Sequence, residues 1–307
     1  MHLIASGLHT PTSFAFGGGS IFEGDGGSET ANPPNGGIFV LKGGGATRIP
    51  GSPKFVAGLA WHKGALYSSG GYITKAGIKW RISKWMGWNG KRFKSHKAVY
   101  VGPKGFDGFN GMGFGADGRL YVGVDVGLTD GNDHGPRNTS PFVYDILSMK
   151  PNGNHVTVFA TGMRQPWQMA FPAGSSAPFV TVLGQDGPPK LNPPDFVLRV
   201  KAGQDYGFPK CNHTKPSKCA GFAKPYRRFG AHTDLMGIGL HGGNLYLSSF
   251  LGRQGKGPGG EVLWTPRSGG PLKALLKGFV APTVGLGIHG DHLFVGELTG
   301  QVFRVKI

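Results

Sequence analysis

One short pattern recurs six times along the chain, and it constrains the fold more than any other feature. A small residue is followed by an apolar one, a second small residue and a large apolar or aromatic one. A Gly- or Asp-containing turn and a strongly alternating segment come next. The copies are SFAF at 13–16, GLAWHKGALYSSGG at 58–71, GMGFGADGRLYVGVD at 111–125, QMAFPAGSSAPFVTVLGQ at 168–185, GIGLHGGNLYLSSF at 237–250 and GLGIHGDHLFVGEL at 285–298. Each reads as a hairpin whose second strand has a side-chain period of two. Further strand pairs such as RISKWMGWNGKRF and GEVLWTPRSGGPLKALLKG lie between the copies. Two hairpins per repeat make a four-stranded antiparallel blade, so the expectation is an all-β, six-bladed propeller. Small residues belong on the innermost strands, where blades crowd around the axis; a two-sheet sandwich does not account for six near-equal repeats. After the sixth copy only QVFRVKI remains, leaving that blade one strand short. The opening HLIASGL is expected to close the ring, giving a single domain over 1–307.

Composition agrees. Hydrophobic residues make up 38% of the 307, enough for a core, and the 57 glycines show no collagen period. Glu is scarce, which argues against long surface helices. No apolar run approaches the length of a membrane-spanning helix. The 33 Lys and Arg against 16 Asp and Glu leave a net charge of +17, which suits anionic partners. Cys211 and Cys219 enclose a short polar loop; a metal site would want four ligands at paired spacing, so a loop-closing disulfide is expected. That implies an oxidising compartment. The N-terminus has no signal-peptide layout, and the expectation is a mature secreted or periplasmic chain, monomeric, from which the targeting peptide has been removed. The fourth repeat is the longest; its excess over 186–230 belongs at one channel mouth, where propellers bind ligands.

No GxSxG elbow, HExxH helix, Walker loop or CxxC pair occurs. The glycine clusters at 17–19 and 43–45 are turn residues. However, ATGMRQPWQMAF at 160–171 resembles the Arg-Asn-Pro motif of the soluble quinoprotein sugar dehydrogenases (the glucose/sorbosone dehydrogenase family), with Gln165 in place of Asn. GQDGPPKLNPPDFVLRVKAGQDYGFPKC resembles that family's Gly-Gln-x-Gly-Pro segment and its Gly-Asn-Tyr-Gly-Trp-Pro stretch. AHTDLMGIGL at 231–240 and FGADGRLYVGVDVG at 114–127 resemble two of its strands. The similarity covers roughly 105–250.

This resemblance implies a pyrroloquinoline quinone (PQQ) site assisted by Ca²⁺ and oxidation of a sugar or other alcohol. By matching position, Arg164 approaches the quinone oxygens, where negative charge grows on reduction. Gln165 follows it in the motif, and Gln185 touches the cofactor edge. The carbonyls around Gly187 and Pro188 ligate Ca²⁺, a hard ion that prefers oxygen. Lys256 supplies a counter-charge to the cofactor carboxylates. Tyr206 is either a packing residue at the blade edge or a pocket wall. Counting back from Phe114, the family's catalytic histidine falls on Asp107, a weaker base unless burial raises its pKa. His232 precedes an inner strand, which fits a site base and equally a structural imidazole.

FNGMGF followed by DGRLYVGVD also resembles the Pro-Asn-Gly strand of regucalcin/gluconolactonase-type propellers. There Asn, Glu and Asp hold a divalent metal that activates water. Asn110 fits that role, with Asp125, Asp186 or Asp234 contributing, but no Glu stands at a matching strand start near the N-terminus. Asp117 reads as a hairpin turn residue, and Asp130, Asp133 and His134 as a solvated loop lacking EF-hand spacing. Residues 75–97 hold many Lys and Arg, no acid, and Trp80, Trp85 and Trp88. They read as an outer hairpin. The functional alternative is a non-catalytic patch for acidic polysaccharide or an anionic cell envelope, with tryptophan faces stacking on sugar rings. Nucleic acid is the less fitting polymer for a secreted chain.

Overall fold

The computed structural model describes residues 1–28, 35–75, 77–127, 138–185, 193–252 and 259–307. Asp130, Asp133, His134, Asp186, Gly187, Pro188 and Lys256 lie outside the described residues. Six four-stranded antiparallel sheets surround one axis. Blade 1 comprises Pro11–Gly17, Ser20–Asp25, Gly37–Lys42 and Gly45–Arg48; blade 2, Phe55–His62, Ala65–Thr74, Gly77–Met86 and Ser95–Val101. Blade 3 comprises Phe109–Phe114, Leu120–Val124, Ile146–Met149 and Thr157–Ala160; blade 4, Gln165–Ala170, Phe179–Leu183, Phe196–Arg199 and Arg227–Arg228. Blade 5 comprises Leu235–His241, Asn244–Ser249, Glu261–Pro266 and Lys273–Leu276. Blade 6 has Thr283–His289, His292–Glu297 and Gln301–Lys306, and its fourth strand is the N-terminal His2–Ala5, paired antiparallel with Gln301–Lys306. The ring is therefore closed by joining the chain's two ends.

The core is divided into wedges between neighbouring blades, six clusters for six seams. Phe14 and Phe16 pack on Phe294 of blade 6, and Phe22 stacks on Trp61 of blade 2. Every inner strand carries a register irregularity at the same height, for example between Val56 and Gly58 and between Leu235 and Ile238. Such a bulge increases local twist.

Opposite each bulge, the second strand places one small residue against the next blade, and its identity follows a simple rule. Where it has a hydroxyl, that group donates across the seam: Ser69 Oγ to the Asn110 carbonyl at 2.8 Å, Thr181 Oγ1 to Met236 at 2.7 Å and Ser248 Oγ to Val284 at 2.6 Å. Otherwise it is glycine, because nothing larger fits. A Cβ at Gly123 would lie 2.2 Å from the Pro166 carbonyl oxygen; at Gly296, 2.4 Å from Pro11 Cβ; at Gly24, 2.7 Å from Val56 Cγ1.

The tryptophans of the basic stretch pack on other side chains, Trp85 buried and Trp80 and Trp88 half-buried, which weighs against the stacking version of the polymer patch. Trp85 is buried, donates to Ser68 Oγ and stacks on His96. Trp80 packs edge-on against Phe55, and Trp88 donates to Ser20 Oγ while packing on Phe22 and Phe93. Trp80 and Trp85, five residues apart in one strand, lie on opposite faces of blade 2 and fill different seams, Trp80 towards blade 3 and Trp85 towards blade 1. The Cys211–Cys219 disulfide is formed, closing a loop with one 3₁₀ turn, Pro216–Cys219.

The seam rule predicts that Gly123→Ala destabilises the fold by about 1–3 kcal/mol, through forced backbone displacement. Ser69→Ala, which leaves the buried Asn110 carbonyl short of a donor, costs about 1–3 kcal/mol. Urea unfolding followed by tryptophan fluorescence measures both, and an unchanged midpoint for Gly123→Ala contradicts the close approach.

Candidate functional site at the upper mouth

Equivalent positions of neighbouring inner strands abut: Gly58 meets Asn110 and Gly111, Gly111 meets Trp167 and Gln168, and Gly237 meets Leu286. The inner strands therefore run parallel around the axis, and all begin at one mouth, here called the upper. Arg164 and Gln165 lie at the start of the blade 4 inner strand, Asp234 at that of blade 5, and Asn110 near that of blade 3. Second strands end at the same mouth, which brings Asp125 and Gln185 there. Residues remote in sequence meet for this reason alone.

Between blades 4 and 5 a cavity of about 220 Å³ opens at this mouth, lined by Arg164, Gln165, Leu183, Asp234, Met236 and Phe250. Its walls are tied together by the buried Asp195, whose carboxylate accepts from the Gly184 N–H at 2.6 Å and the Asp234 N–H at 2.7 Å. Asp234 and His232 both hold left-handed backbone, φ 48° and 58°, a conformation uncommon for residues other than glycine and concentrated at functional sites. Asp234 reaches the cavity lining; His232 is half-buried in the turn before it.

Arg164 is 7% exposed, and its Nη1 donates to the Gly184 carbonyl. Its charge is felt at Asp125. Burial raises the Asp125 pKa most; the Gly127 N–H opposes this, Asp107 adds to it, and Arg164 counteracts it. Arg164, Asp125 and Asp107 thus form one electrostatic group. Asp107 is half-buried and accepts from the Asn138 amide, which also donates to the Val126 carbonyl. Asn110 is fully buried, and its Oδ1 has no hydrogen-bond partner.

Behind Arg164, a narrow void of about 30 Å³ separates blade 4 from the disulfide loop, with Gln185, Tyr206 and Cys211 among its lining residues. Gln185 accepts from the Asn212 amide, linking that loop to the mouth. The Tyr206 hydroxyl lies within hydrogen-bond distance of the Arg199 carbonyl, at 2.9 Å, and of Gln204 Oε1, at 2.7 Å, so its polar end is spent on the blade edge. Among the described residues, the group of potential metal ligands within reach of one another is Cys211, His213 and Cys219, and its two sulfurs are consumed by the disulfide.

Two residues escaped the sequence reading. Gln168 occupies the bulge position that is Gly58, Gly111, Gly237 and Gly285 in other blades. Its side chain crosses the axis, and Nε2 donates to the Thr12 carbonyl at 3.3 Å and the Ala57 carbonyl at 2.9 Å. It spans the channel below the mouth and lines, with Phe14, Phe16, Met169, Phe171, Leu240 and Ile288 among others, a cavity of about 250 Å³. The signal was present: one long polar side chain in a column of small residues. Glu23 is fully buried near the end of the second strand of blade 1; burial first, then Asp25, holds its pKa well above the ordinary range. A glutamate inside an alternating strand was the only hint.

No family model matches the sequence, and no curated protein matches it. The fold is nevertheless shared with solved structures. The PQQ-bound aldose sugar dehydrogenase of Streptomyces coelicolor superposes with a TM-score of 0.74 at 19% identity, covering 100% of this chain and 96% of that one. The holo PQQ domain of pyranose dehydrogenase from Coprinopsis cinerea gives 0.72 at 14%, over 99% and 94%. A gluconolactonase from Xanthomonas campestris gives 0.59 at 12%, over 99% and 88%. At these identities the likeness establishes the six-bladed fold.

Asp145, at the same mouth, yields a pH prediction. Burial raises its pKa to about 6; a Thr161 hydrogen bond opposes this and Asp205 reinforces it. The folded state therefore holds a proton that the unfolded chain has already released, and stability falls as pH rises from about 4 to about 6. Asp145→Asn should flatten that decline and raise stability at neutral pH relative to wild type. Urea midpoints between pH 4 and 7 check it, and an unaltered slope refutes it.

Proposed function

We propose that the protein is a propeller oxidoreductase that oxidises a sugar or other alcohol at the upper mouth, with PQQ and Ca²⁺. The observation that carries this reading is Arg164: a buried guanidinium at a cavity edge, balanced against Asp125 and followed by the Gln165 amide. That donor set fits a polycarboxylate quinone, and the solved structures sharing the fold include PQQ-bound sugar dehydrogenases. When bound, the quinone supplies a hydride acceptor. Arg164 stabilises negative charge that develops on oxygen at the cavity edge; being held by the Gly184 carbonyl, it needs no reorganisation to do so. Asp107 takes the hydroxyl proton. Asn138 donates to Oδ2 and orients the group, and Oδ1 receives that proton. Asp234 lines the cavity as an acceptor for a second hydroxyl. Gly187, Pro188 and Lys256 stay assigned by resemblance, to calcium and to a cofactor carboxylate. The disulfide supports a secreted or periplasmic location, and we assign a monomer.

A second reading rests on Asn110. Its unpartnered, buried Oδ1 is an oxygen donor of the kind a divalent metal takes in a lactonase-type propeller.

The test adds PQQ and CaCl₂ to the purified protein and follows quinone absorbance, thermal stability and dye reduction with a panel of aldoses. Binding with dye reduction is expected. Arg164→Lys should weaken quinone affinity by about tenfold or more, as a lost geometry-specific charged hydrogen bond does. Asp107→Asn should bind quinone normally yet turn over roughly 10²–10⁴ times more slowly, the range for loss of a general base. Absence of quinone binding overturns the proposal. One tightly held divalent metal with lactone hydrolysis and no quinone affinity favours the second reading.

A further inference from the structure

Charge is distributed unevenly between the two faces. From residue 35 to residue 106 the chain contains no Asp or Glu, and this stretch builds all of blade 2. Among the described acidic residues, only Asp117 and Asp291 sit in lower turns; the others cluster around the upper mouth. The lower rim of blade 2 consists of the turn after its inner strand, with Lys63, and the turn between its third and fourth strands, with Lys91, Arg92 and Lys94. All four are exposed. The ion pairs of the described residues join Asp291 to His292 and Lys306 in blade 6, and none reaches these cations. The His62 pKa is lowered by burial first, then by Lys63 of this rim and by Lys84.

The longer turn is held by hydrogen bonds and ring packing. Asn89 Oδ1 accepts the Lys91 N–H at 3.0 Å and the Arg92 N–H at 2.9 Å. Phe93 packs on Trp85 and Trp88. The result is an open hollow of about 510 Å³ lined by Gly87, Asn89, Arg92, Phe93 and Lys94. Unpaired like charges held close together are unfavourable alone and favourable once a polyanion lies across them.

We propose that this rim docks a polymer of carboxylated sugars, on the face opposite the mouth. Arg92 and Lys94 meet carboxylates, the Asn89 amide N–H₂ meets hydroxyls, and the edge of Phe93 lies beside a sugar ring. A membrane surface fits less well, since the one large apolar side chain of this turn, Phe93, is half-buried against Trp85 and Trp88. Nucleic acid fits less well, because the aromatic rings pack on other side chains and the disulfide points to an oxidising compartment. Docking here leaves the upper mouth open, and the proposal stands independently of the redox reading.

The experiment measures retention on immobilised polygalacturonate at about 0.15 M NaCl, where exposed charges more than about 8 Å apart are largely screened. Lys91→Gln/Arg92→Gln/Lys94→Gln is compared with a matched upper-rim triple, Lys75→Gln/Lys79→Gln/Lys104→Gln, which removes the same charge. Thermal midpoints confirm that both fold. The lower triple should lose about tenfold or more in affinity and the upper triple about twofold or less, the difference expected of specific charge contacts against screened net charge. Equal losses would reduce the effect to net charge and overturn the proposal. So would absence of wild-type retention, or tighter binding to phosphatidylglycerol vesicles or oligodeoxythymidine.

Discussion

Everything in this fold depends on how closely neighbouring blades approach near the axis. Gly123 touches the Pro166 carbonyl, and Ser69, Thr181 and Ser248 each bridge to the next blade through one hydroxyl. A blade alone has two apolar faces and cannot bury both. The wedge-shaped cores form only when six blades stand side by side, and they stand at this spacing only because the inner strands are nearly without side chains. The ring then has to close, and pairing of His2–Ala5 with Gln301–Lys306 does so through backbone hydrogen bonds between the chain ends.

The same packing organises the chemistry. Because equivalent positions of the inner strands lie at one height, whatever precedes those strands is delivered to a common mouth. Arg164, Asp107 and Asp234 reach the mouth in this way, and Asp125 reaches it from the end of a second strand. Gln168 departs from the small-residue rule at one position, and the space that five small residues leave is what lets its amide reach two blades across the axis. It ties blade 4 to blades 1 and 2 below the mouth and lines the cavity on that side.

Acidic side chains gather where strand ends converge, and their carboxylates are largely occupied by backbone N–H groups: Asp25 by His9, Thr10 and Gly27, Asp195 by Gly184 and Asp234. Structural carboxylates at one mouth leave the opposite rim of blade 2 without counter-charges. The polarity of the molecule is thus a by-product of how its mouth is held together.

The sequence by itself determined the ring: six small-apolar-small-apolar segments, a missing last strand, and a paired cysteine loop are local signals that packing at an axis or a turn makes necessary. Arg164 and Gln165 were singled out by resemblance to a family motif, and their place at the start of an inner strand follows from the segment they lead into. What only the tertiary structure decided was the pairing across blades. That Asp107 shares a field with Asp125 and Arg164, that Asp195 binds two blades, that Gln168 spans the channel, and that Trp80 and Trp85 fill different seams all depend on distances between residues far apart in the chain. Period-two alternation marks which side chains share a face, yet it carries no information about which blade that face will meet.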